Sequence, residues 1–228
     1  MRKKRKIQES RLVKGYLPTA KFYLAGISSP ALASEETLKQ RHEQYLDEVL
    51  DSREQEAHSE MFRWWNRGSD YEAASLLQAE AARQLGDREL VKRFRDKKRL
   101  EEASSYAAST VARVYAAEKA WTRTVLNGFK YVRIYRGIHG DLAKEVKEAA
   151  SSGKKFSLGL YPLSSWTVYK EVAEGFAARE SGGVVLEKIV SIRRILTTGR
   201  TNSALSLGES EIVLESRPPD VTISKEVS

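Results

Sequence analysis

Two glutamates separated by one residue, Glu209 and Glu211, stand just before a short apolar run, residues 212–214, near the C-terminus. The run is typical of a buried strand, and in extended backbone residues i and i+2 point to the same side. Both carboxylates would therefore face one cleft, where such a pair can serve acid–base work or stabilise a developing positive charge. Ordinary solvated charge is the commoner reason for Glu-x-Glu on a strand, so the pair gains meaning only from residues upstream.

Arg136 follows a segment rich in β-formers, residues 131–135, which alternates as a strand does. Its planar guanidinium would suit bidentate contact with a phosphate or pyrophosphate. The next residue, Gly137, would let the backbone approach a ligand closely. A surface arginine at the end of a strand is the structural alternative.

A third polar group lies between these two along the chain. Ser165 and Thr167 end a strand-like segment and lead into a helical stretch that contains Phe176 and Arg179. The two hydroxyls could belong to a site, but they could equally cap the helix that follows. Phe176 could likewise be an ordinary residue of the helix core.

The segments that would position these groups alternate between strand and helix in the second half of the chain. Predicted strands cover 131–135, 156–161, 183–190, 212–214 and 221–223, and predicted helices cover 141–150 and 168–179. A sheet interrupted by helices in this way predicts an α+β domain.

The first half is alanine-rich, charged and helical in its pattern. One helix, capped by Ser34, is predicted to run on to Trp65, a second covers 71–85, and a third covers 88–126 with a break near residue 104. The predicted division is a basic N-terminal arm at 1–33, a helical region at 34–128 and the α+β domain at 129–228.

Composition narrows the possible partners and chemistry. The 228 residues have a net charge of +8, which favours nucleic acid, a phosphate-bearing ligand or an acidic protein surface. The chain contains no cysteine, which excludes disulfides and thiolate chemistry. It has no run of eighteen apolar residues, so we expect no membrane-spanning segment.

The histidines and the adjacent tryptophans are predicted to have structural roles. The three histidines, His42, His58 and His139, have no ligand spacing, so no metal site is expected. His42 and His58 fall in a charged helical stretch and are predicted to be solvated. The adjacent Trp64 and Trp65 are predicted to lie in the core or in a helix–helix contact, with ligand stacking as the lesser alternative.

Taken in order, these groups resemble the Arg-Ser-Glu class of mono-ADP-ribosyltransferases across roughly residues 129–226. The resemblance consists of an arginine after an aromatic residue, a Ser-x-Thr that leads into a helix with Phe and Arg, and a Glu-x-Glu at a strand start. It departs from the family pattern at Trp166, where a small residue is usual, and at Thr167, which replaces a serine but keeps its hydroxyl.

The resemblance implies a role for each residue. Arg136 and Arg179 would bind the NAD phosphates, Gly137 would contact the nicotinamide amide, and Phe176 would lie on the nicotinamide side. Ser165 and Thr167 would match the Ser-Thr-Ser motif, with Ser165 holding the catalytic Glu211. Glu209 would match the upstream glutamate of arginine-modifying members. The catalytic set is therefore Glu211, Glu209, Arg136 and Ser165, and the NAD-binding set is Arg136, Gly137, Ser165, Thr167, Phe176, Arg179 and Glu211.

The family's reaction agrees with these residue types. Cleavage of the nicotinamide–ribose bond builds positive charge on the sugar, which Glu211 would stabilise, while Glu209 would orient an acceptor guanidinium and help remove its proton. The resemblance implies a split β-sandwich domain that uses NAD as a substrate, needs no metal, and modifies arginines of target proteins. A glycine-rich dinucleotide fingerprint is missing, which disfavours a Rossmann oxidoreductase.

The sequence leaves three functions open. The first is the transferase that modifies arginines of proteins, which we expect to be a phage-borne or toxin-like enzyme that acts in bacterial cytoplasm. The second is a transferase that modifies nucleic acid, which the net charge and the run of basic residues at 2–6 also permit. The third alternative is a non-enzymatic virion or binding protein with a decayed transferase fold.

Overall fold

Among the described residues, the first half of the chain is mainly helical, and the second half forms a sheet with two further helices. The computed structural model describes residues 16–17, 35–68, 73–95, 106–127, 129–152, 161–199, 202, 205, 211–216 and 222–226. Within them lie seven α-helices: α1 Glu35–Val49, α2 Ser52–Trp65, α3 Ala74–Leu85, α4 Arg88–Arg95, α5 Ala108–Val125, α6 Gly140–Ser151 and α7 Lys170–Ala177. The prediction of a mixed helical and β structure is confirmed.

The described strands form one sheet, and all of its pairings except that of β1 are antiparallel. The strands are β1 Tyr16–Leu17, β2 Tyr131–Ile138, β3 Leu163–Thr167, β4 Val184–Ser191, β5 Ile195–Thr198, β6 Glu211–Glu215 and β7 Thr222–Glu226. Their order is β5-β6-β3-β2-β4-β7, and β1 lies beside β2. Chain neighbours are thus often separated in the sheet, which brings β2, β3 and β6 together.

The sheet consists of two halves that meet at a narrow junction. β2 pairs with β4 along all eight residues, whereas its recorded pairing with β3 is the single pair Tyr135 and Thr167. The short strand β1 pairs with Tyr131 and Val132 at the beginning of β2. The halves β5-β6-β3 and β2-β4-β7 therefore have room to separate near the pair at Thr167.

The two larger hydrophobic clusters lie on opposite faces of β6. One packs α2, α3 and α5 against Leu163, Leu196 and Val213. The other includes Ile212 and Leu214, the chain neighbours of Val213, together with residues of α6. Alternation along β6 thus buries both faces of the strand, and the helical region shares a core with the sheet.

The predicted single helix through Trp65 is wrong, because Asp51 ends one helix and caps the next. The Asp51 side chain accepts a hydrogen bond from the Glu54 backbone at 2.9 Å, and the Glu54 side chain accepts one from the Asp51 backbone at 3.0 Å. This reciprocal pair is a capping box. The Asp-x-x-Glu pattern is present in the sequence, but the charged residues around it continue the helical pattern, so no helix boundary was predicted there.

Other boundaries follow the predictions more closely. The long predicted third helix is replaced by α4 and α5, with Tyr106 and Ala107 outside both. The predicted cap Ser34 lies outside the described residues, as does the predicted strand 156–161 apart from Tyr161. Among the helices described, none has the length and apolar character needed to cross a membrane.

Candidate active site

A cavity of about 170 Å³ opens where β2, β3, β6 and α7 meet. Its volume is below that of pockets that bury most of a drug-sized ligand, so the described walls suit one end of a larger molecule. Six of the residues singled out in the sequence line it: Arg136, Gly137, Ser165, Thr167, Phe176 and Glu211.

Strand register explains why the hydroxyls and the carboxylate meet. Thr167 pairs directly with Glu211, and Ser165 pairs with Val213 two residues further along β6. Ser165 and Glu211 are therefore diagonal neighbours on one face of the sheet, close enough for their side chains to touch. The same row continues to Tyr135 of β2 through its pair with Thr167.

The Glu211 carboxylate is buried and receives two hydrogen bonds at one oxygen. Ser165 Oγ donates to Glu211 Oε1, as expected. Trp65 Nε1, at the end of α2, donates to the same oxygen at 2.8 Å. Hydrogen bonds to an ionised acceptor are roughly twice as strong as neutral ones, so these two contacts fix the carboxylate firmly.

Trp65 was predicted to lie in the core or in a helix contact, and its link to the site was missed. It lies 146 residues before Glu211 in the chain. Its sequence surroundings resemble those of any buried aromatic residue, because a contact over this separation depends on tertiary packing. We find no signal in the sequence that distinguishes it from Trp64.

Arg136 lines the cavity and carries a buried donor that is unsatisfied among the described residues. Its Nη1 is buried and has no hydrogen-bond partner among the described residues. Burial lowers the pKa of Arg136, while the nearby negative charge of Glu211 opposes this shift. An arginine remains cationic in proteins despite such a shift, so the group is well suited to receive an anionic ligand such as a phosphate.

Thr167 and Gly137 line the cavity, but each also has a structural role. Thr167 Oγ1 accepts a hydrogen bond from the backbone N–H of Tyr169 at 3.2 Å. Tyr169 precedes the first residue of α7, so this bond closes a turn and is not the helix cap that was predicted as the alternative. A Cβ on Gly137 would lie 2.0 Å from the carbonyl oxygen of Ala173 in α7. Glycine is therefore needed here for helix packing, whether or not a ligand approaches.

Phe176 and Arg179 lie together at the end of α7. Phe176 is only partly buried and lines the cavity, in contrast to the helix-core alternative. The Arg179 guanidinium lies 3.9 Å from the centroid of the Phe176 ring, a cation–π contact. Arg179 is exposed and stands beside the cavity wall that Phe176 forms.

Trp166 forms another wall of the cavity and is anchored behind it. Its ring is buried, and its Nε1 donates to Ser164 Oγ at 2.9 Å. The Ser164 hydroxyl in turn contacts that of Ser216 at 2.6 Å.

Glu209, the second predicted acid, lies outside the described residues.

His42 and His58 are buried, so the prediction that they are solvated was wrong. The Nε2 atom of each lies 2.6 Å from Oε1 of Glu118 in α5. Burial raises the pKa of Glu118, but the two imidazoles outweigh burial and hold the pKa below its ordinary value. Spacing along one helix could not reveal a cluster that forms between α1, α2 and α5.

The ligand atoms of these three residues lie within 4.8 Å of one another, a separation that a metal site allows. Both imidazole nitrogens, however, point at one carboxylate oxygen at hydrogen-bonding distance. We therefore describe the cluster as a buried hydrogen-bonded network.

A basic groove lies near the beginning of β2, at the other end of the strand from the cavity. It encloses about 700 Å³, and its lining includes Arg123, Lys130, Arg193 and Tyr131, the last 41% exposed. The described lining contains no acidic residue. Clustered cations beside an exposed aromatic ring are typical of surfaces that bind nucleic acid.

Comparison of the chain with protein-family models, curated proteins and solved structures gave no match.

Proposed function

We propose that this protein is a mono-ADP-ribosyltransferase that transfers ADP-ribose from NAD to arginine side chains of target proteins. The observation that supports the proposal is the meeting of Arg136, Ser165 and Glu211 in one cavity. Arg136 and Glu211 lie 75 residues apart in the sequence, and the family resemblance requires the three residues to meet. The narrow junction between the two halves of the sheet supports a split β-sandwich as the fold of this domain.

Binding would begin with the pyrophosphate of NAD. Arg136 would satisfy its buried Nη1 on a phosphate oxygen, and Arg179 would supply a second cation at the cavity edge. Phe176 would pack against the nicotinamide end. This arrangement directs the nicotinamide ribose towards Glu211.

In the chemical step the bond between ribose C1′ and the nicotinamide nitrogen breaks, and its electron pair leaves with nicotinamide. The sugar becomes oxocarbenium-like, and the fixed carboxylate of Glu211 stabilises its charge. An arginine nitrogen of the target attacks C1′ and gives up a proton to Glu209. When water attacks instead, the product is free ADP-ribose.

The test of function and acceptor uses NAD labelled in its adenylate phosphate, incubated with the protein and a bacterial lysate. Protein-bound label that protease removes and nuclease leaves would support a protein acceptor. The reverse pattern would favour a nucleic-acid acceptor, the second candidate, for which the basic groove is the specific observation. A protein that neither labels the lysate nor hydrolyses NAD would favour the non-enzymatic alternative.

A Glu209→Ala variant tests the arginine acceptor separately. Glu209 would act on the incoming guanidinium only after NAD is bound, so we expect transfer to protein to be lost while much of the hydrolysis survives. Equal loss of both activities in a folded variant would contradict a separate acceptor role. Survival of both would identify Glu209 as a solvated charge.

A further inference from the structure

The helical region reaches into the candidate active site through one side chain. Trp65 is the last residue of α2, and its side chain is only 4% exposed. Its indole N–H points at Glu211, the residue to which we assign stabilisation of the sugar. We infer that Trp65 is a positioning residue for the proposed reaction, so that the helical region completes the active site.

The two donors to Glu211 come from different layers of the molecule. Ser165 approaches from the neighbouring strand β3, whereas Trp65 approaches from the helices packed on that face of the sheet. Two donors on one oxygen restrict both the position and the rotation of the carboxylate. Such preorganisation matters most where charge develops in the transition state, because it then needs no rearrangement during the reaction.

The helical region also holds the two strands that carry Ser165 and Glu211. The amide of Gln78 in α3 accepts from the Leu163 backbone N–H at 2.7 Å and donates to the Leu163 carbonyl at 3.0 Å. Tyr115 in α5 donates to Glu215, at the far end of β6, at 2.5 Å. These contacts fix the strands against the helices, which keeps the Trp65 donor in register with its acceptor.

The neighbouring Trp64 provides a matched control. Its Nε1 is buried but has no hydrogen-bond partner among the described residues. The Arg67 guanidinium lies over its ring, 4.7 Å from the centroid. Replacement of either tryptophan by phenylalanine removes one indole N–H, but only at position 65 does this remove a contact to the carboxylate.

The inference rests on the proposed function, and the experiment separates the two. NAD hydrolysis is measured against pH for the wild type, Trp65→Phe and Trp64→Phe. We expect Trp65→Phe to lower kcat about tenfold with little change in KM, because the lost donor acts on a charged group in the reaction. The acid limb of its pH profile should move to higher pH, since the lost N–H favoured the ionised carboxylate. Trp64→Phe should keep wild-type values.

Two other outcomes would contradict the inference. A wild type that hydrolyses NAD, with a Trp65→Phe variant matching Trp64→Phe in kcat and pH profile, would overturn the inference and leave the proposed function in place. A wild type without NAD hydrolysis would overturn both. If Trp65→Phe fails to fold, benzothienylalanine at position 65 keeps the indole shape but lacks the N–H, and the same loss of kcat is expected.

Discussion

At the scale of single residues, the cavity is lined by two charged groups, Glu211 and Arg136, which differ in whether their hydrogen bonds are satisfied. The Glu211 carboxylate already accepts from two donors, whereas Arg136 Nη1 is buried and has no acceptor among the described residues. A carboxylate fixed before substrate arrives suits a group that stabilises charge in the reaction. A buried donor without a partner suits a group whose partner is the ligand.

Arg136→Lys tests the second of these roles. Lysine keeps the positive charge but loses the planar fork that binds two phosphate oxygens, so we expect NAD affinity to fall about tenfold or more. Arg133→Lys on the same strand is the control, because Arg133 pairs with Glu187 outside the cavity. Isothermal titration calorimetry with NAD measures both. Equal affinities for Arg136→Lys and the wild type would contradict the phosphate role.

The site residues that could be predicted are those that form an ordered set of residue types along the chain. Ser165 and Glu211 were recognisable as members of that set and through the family resemblance that it carries, since Glu-x-Glu alone is most often solvated charge. The hydrogen bond of Thr167 in the turn after β3 was not foreseen, because the predicted alternative was a cap of the helix that follows. Trp65 and the cluster of His42 and His58 were missed, because their partners lie 60 or more residues away and depend on how the helices pack.

At the scale of elements, α7 packs closely against β2 and β4 because a glycine in or beside each strand leaves room for the helix backbone. A Cβ on Gly137 of β2 or on Gly183, just before β4, would come within 2.0 Å or 1.9 Å of a carbonyl oxygen of α7. Only glycine permits so close an approach of helix and strand backbones. Because α7 also carries Phe176, this packing sets the position of one cavity wall.

Gly137→Ala should therefore destabilise the protein, by about 1–3 kcal/mol as for other overpacked sites. Gly175→Ala is the control, because Gly175 lies in the same helix and an added Cβ would meet nothing within 4 Å. That variant should be more stable than wild type by about 0.5–1 kcal/mol, from the higher helix propensity of alanine. Urea unfolding compares them. A Gly137→Ala variant as stable as Gly175→Ala would contradict the packing described.

Of the strands that carry the site, β2 and β6 were predicted, because β-formers mark the first and an apolar run marks the second. The strand before the site hydroxyls was predicted at 156–161, and β3 was missed because its three hydroxyl residues interrupt any apolar run. The break between α1 and α2 was not predicted, since the charged residues around Asp51 continue a helical pattern. Strand order was also beyond the sequence, because pairing between β3 and β6 is a long-range choice that period-2 alternation does not encode.

At the scale of the whole molecule, the helical region and the sheet depend on each other. They share one hydrophobic cluster, and hydrogen bonds from Trp65, Gln78 and Tyr115 reach the strands of the site. Within the helical region, Glu118 joins α5 to α1 and α2 through His42 and His58. The stability of this cluster should therefore affect the whole chain.

Glu118→Gln tests that dependence through pH. The pKa of Glu118 lies below its ordinary value of 4.5, so its contribution is full above about pH 4.5 and is lost as the pH falls below that value. We expect the variant to be less stable by about 1.5–3 kcal/mol at pH 7, as for the loss of hydrogen bonds to a charged group. The difference should narrow in acid. The titratable side chains that face Glu118 are His42, His58 and Tyr45. Burial and the negative charge of Glu118 raise the pKa of Tyr45.

Urea unfolding at pH 7 and at steps below pH 4.5 measures this difference. Glu48→Gln, a change at an exposed position of α1, is the control and should leave stability unchanged within about 0.5 kcal/mol. A difference between wild type and Glu118→Gln that stays constant below pH 4.5 would contradict the ionised state assigned to Glu118.

Release of nicotinamide from NAD by the purified protein tests the central claim most directly. Wild type should release nicotinamide, and Glu211→Gln should reduce the rate at least about a hundredfold, because it keeps an acceptor for Trp65 and Ser165 but removes the charge. Glu171→Gln, at an exposed position of α7, should retain wild-type activity. A folded Glu211→Gln protein that releases nicotinamide at nearly the wild-type rate would contradict the account.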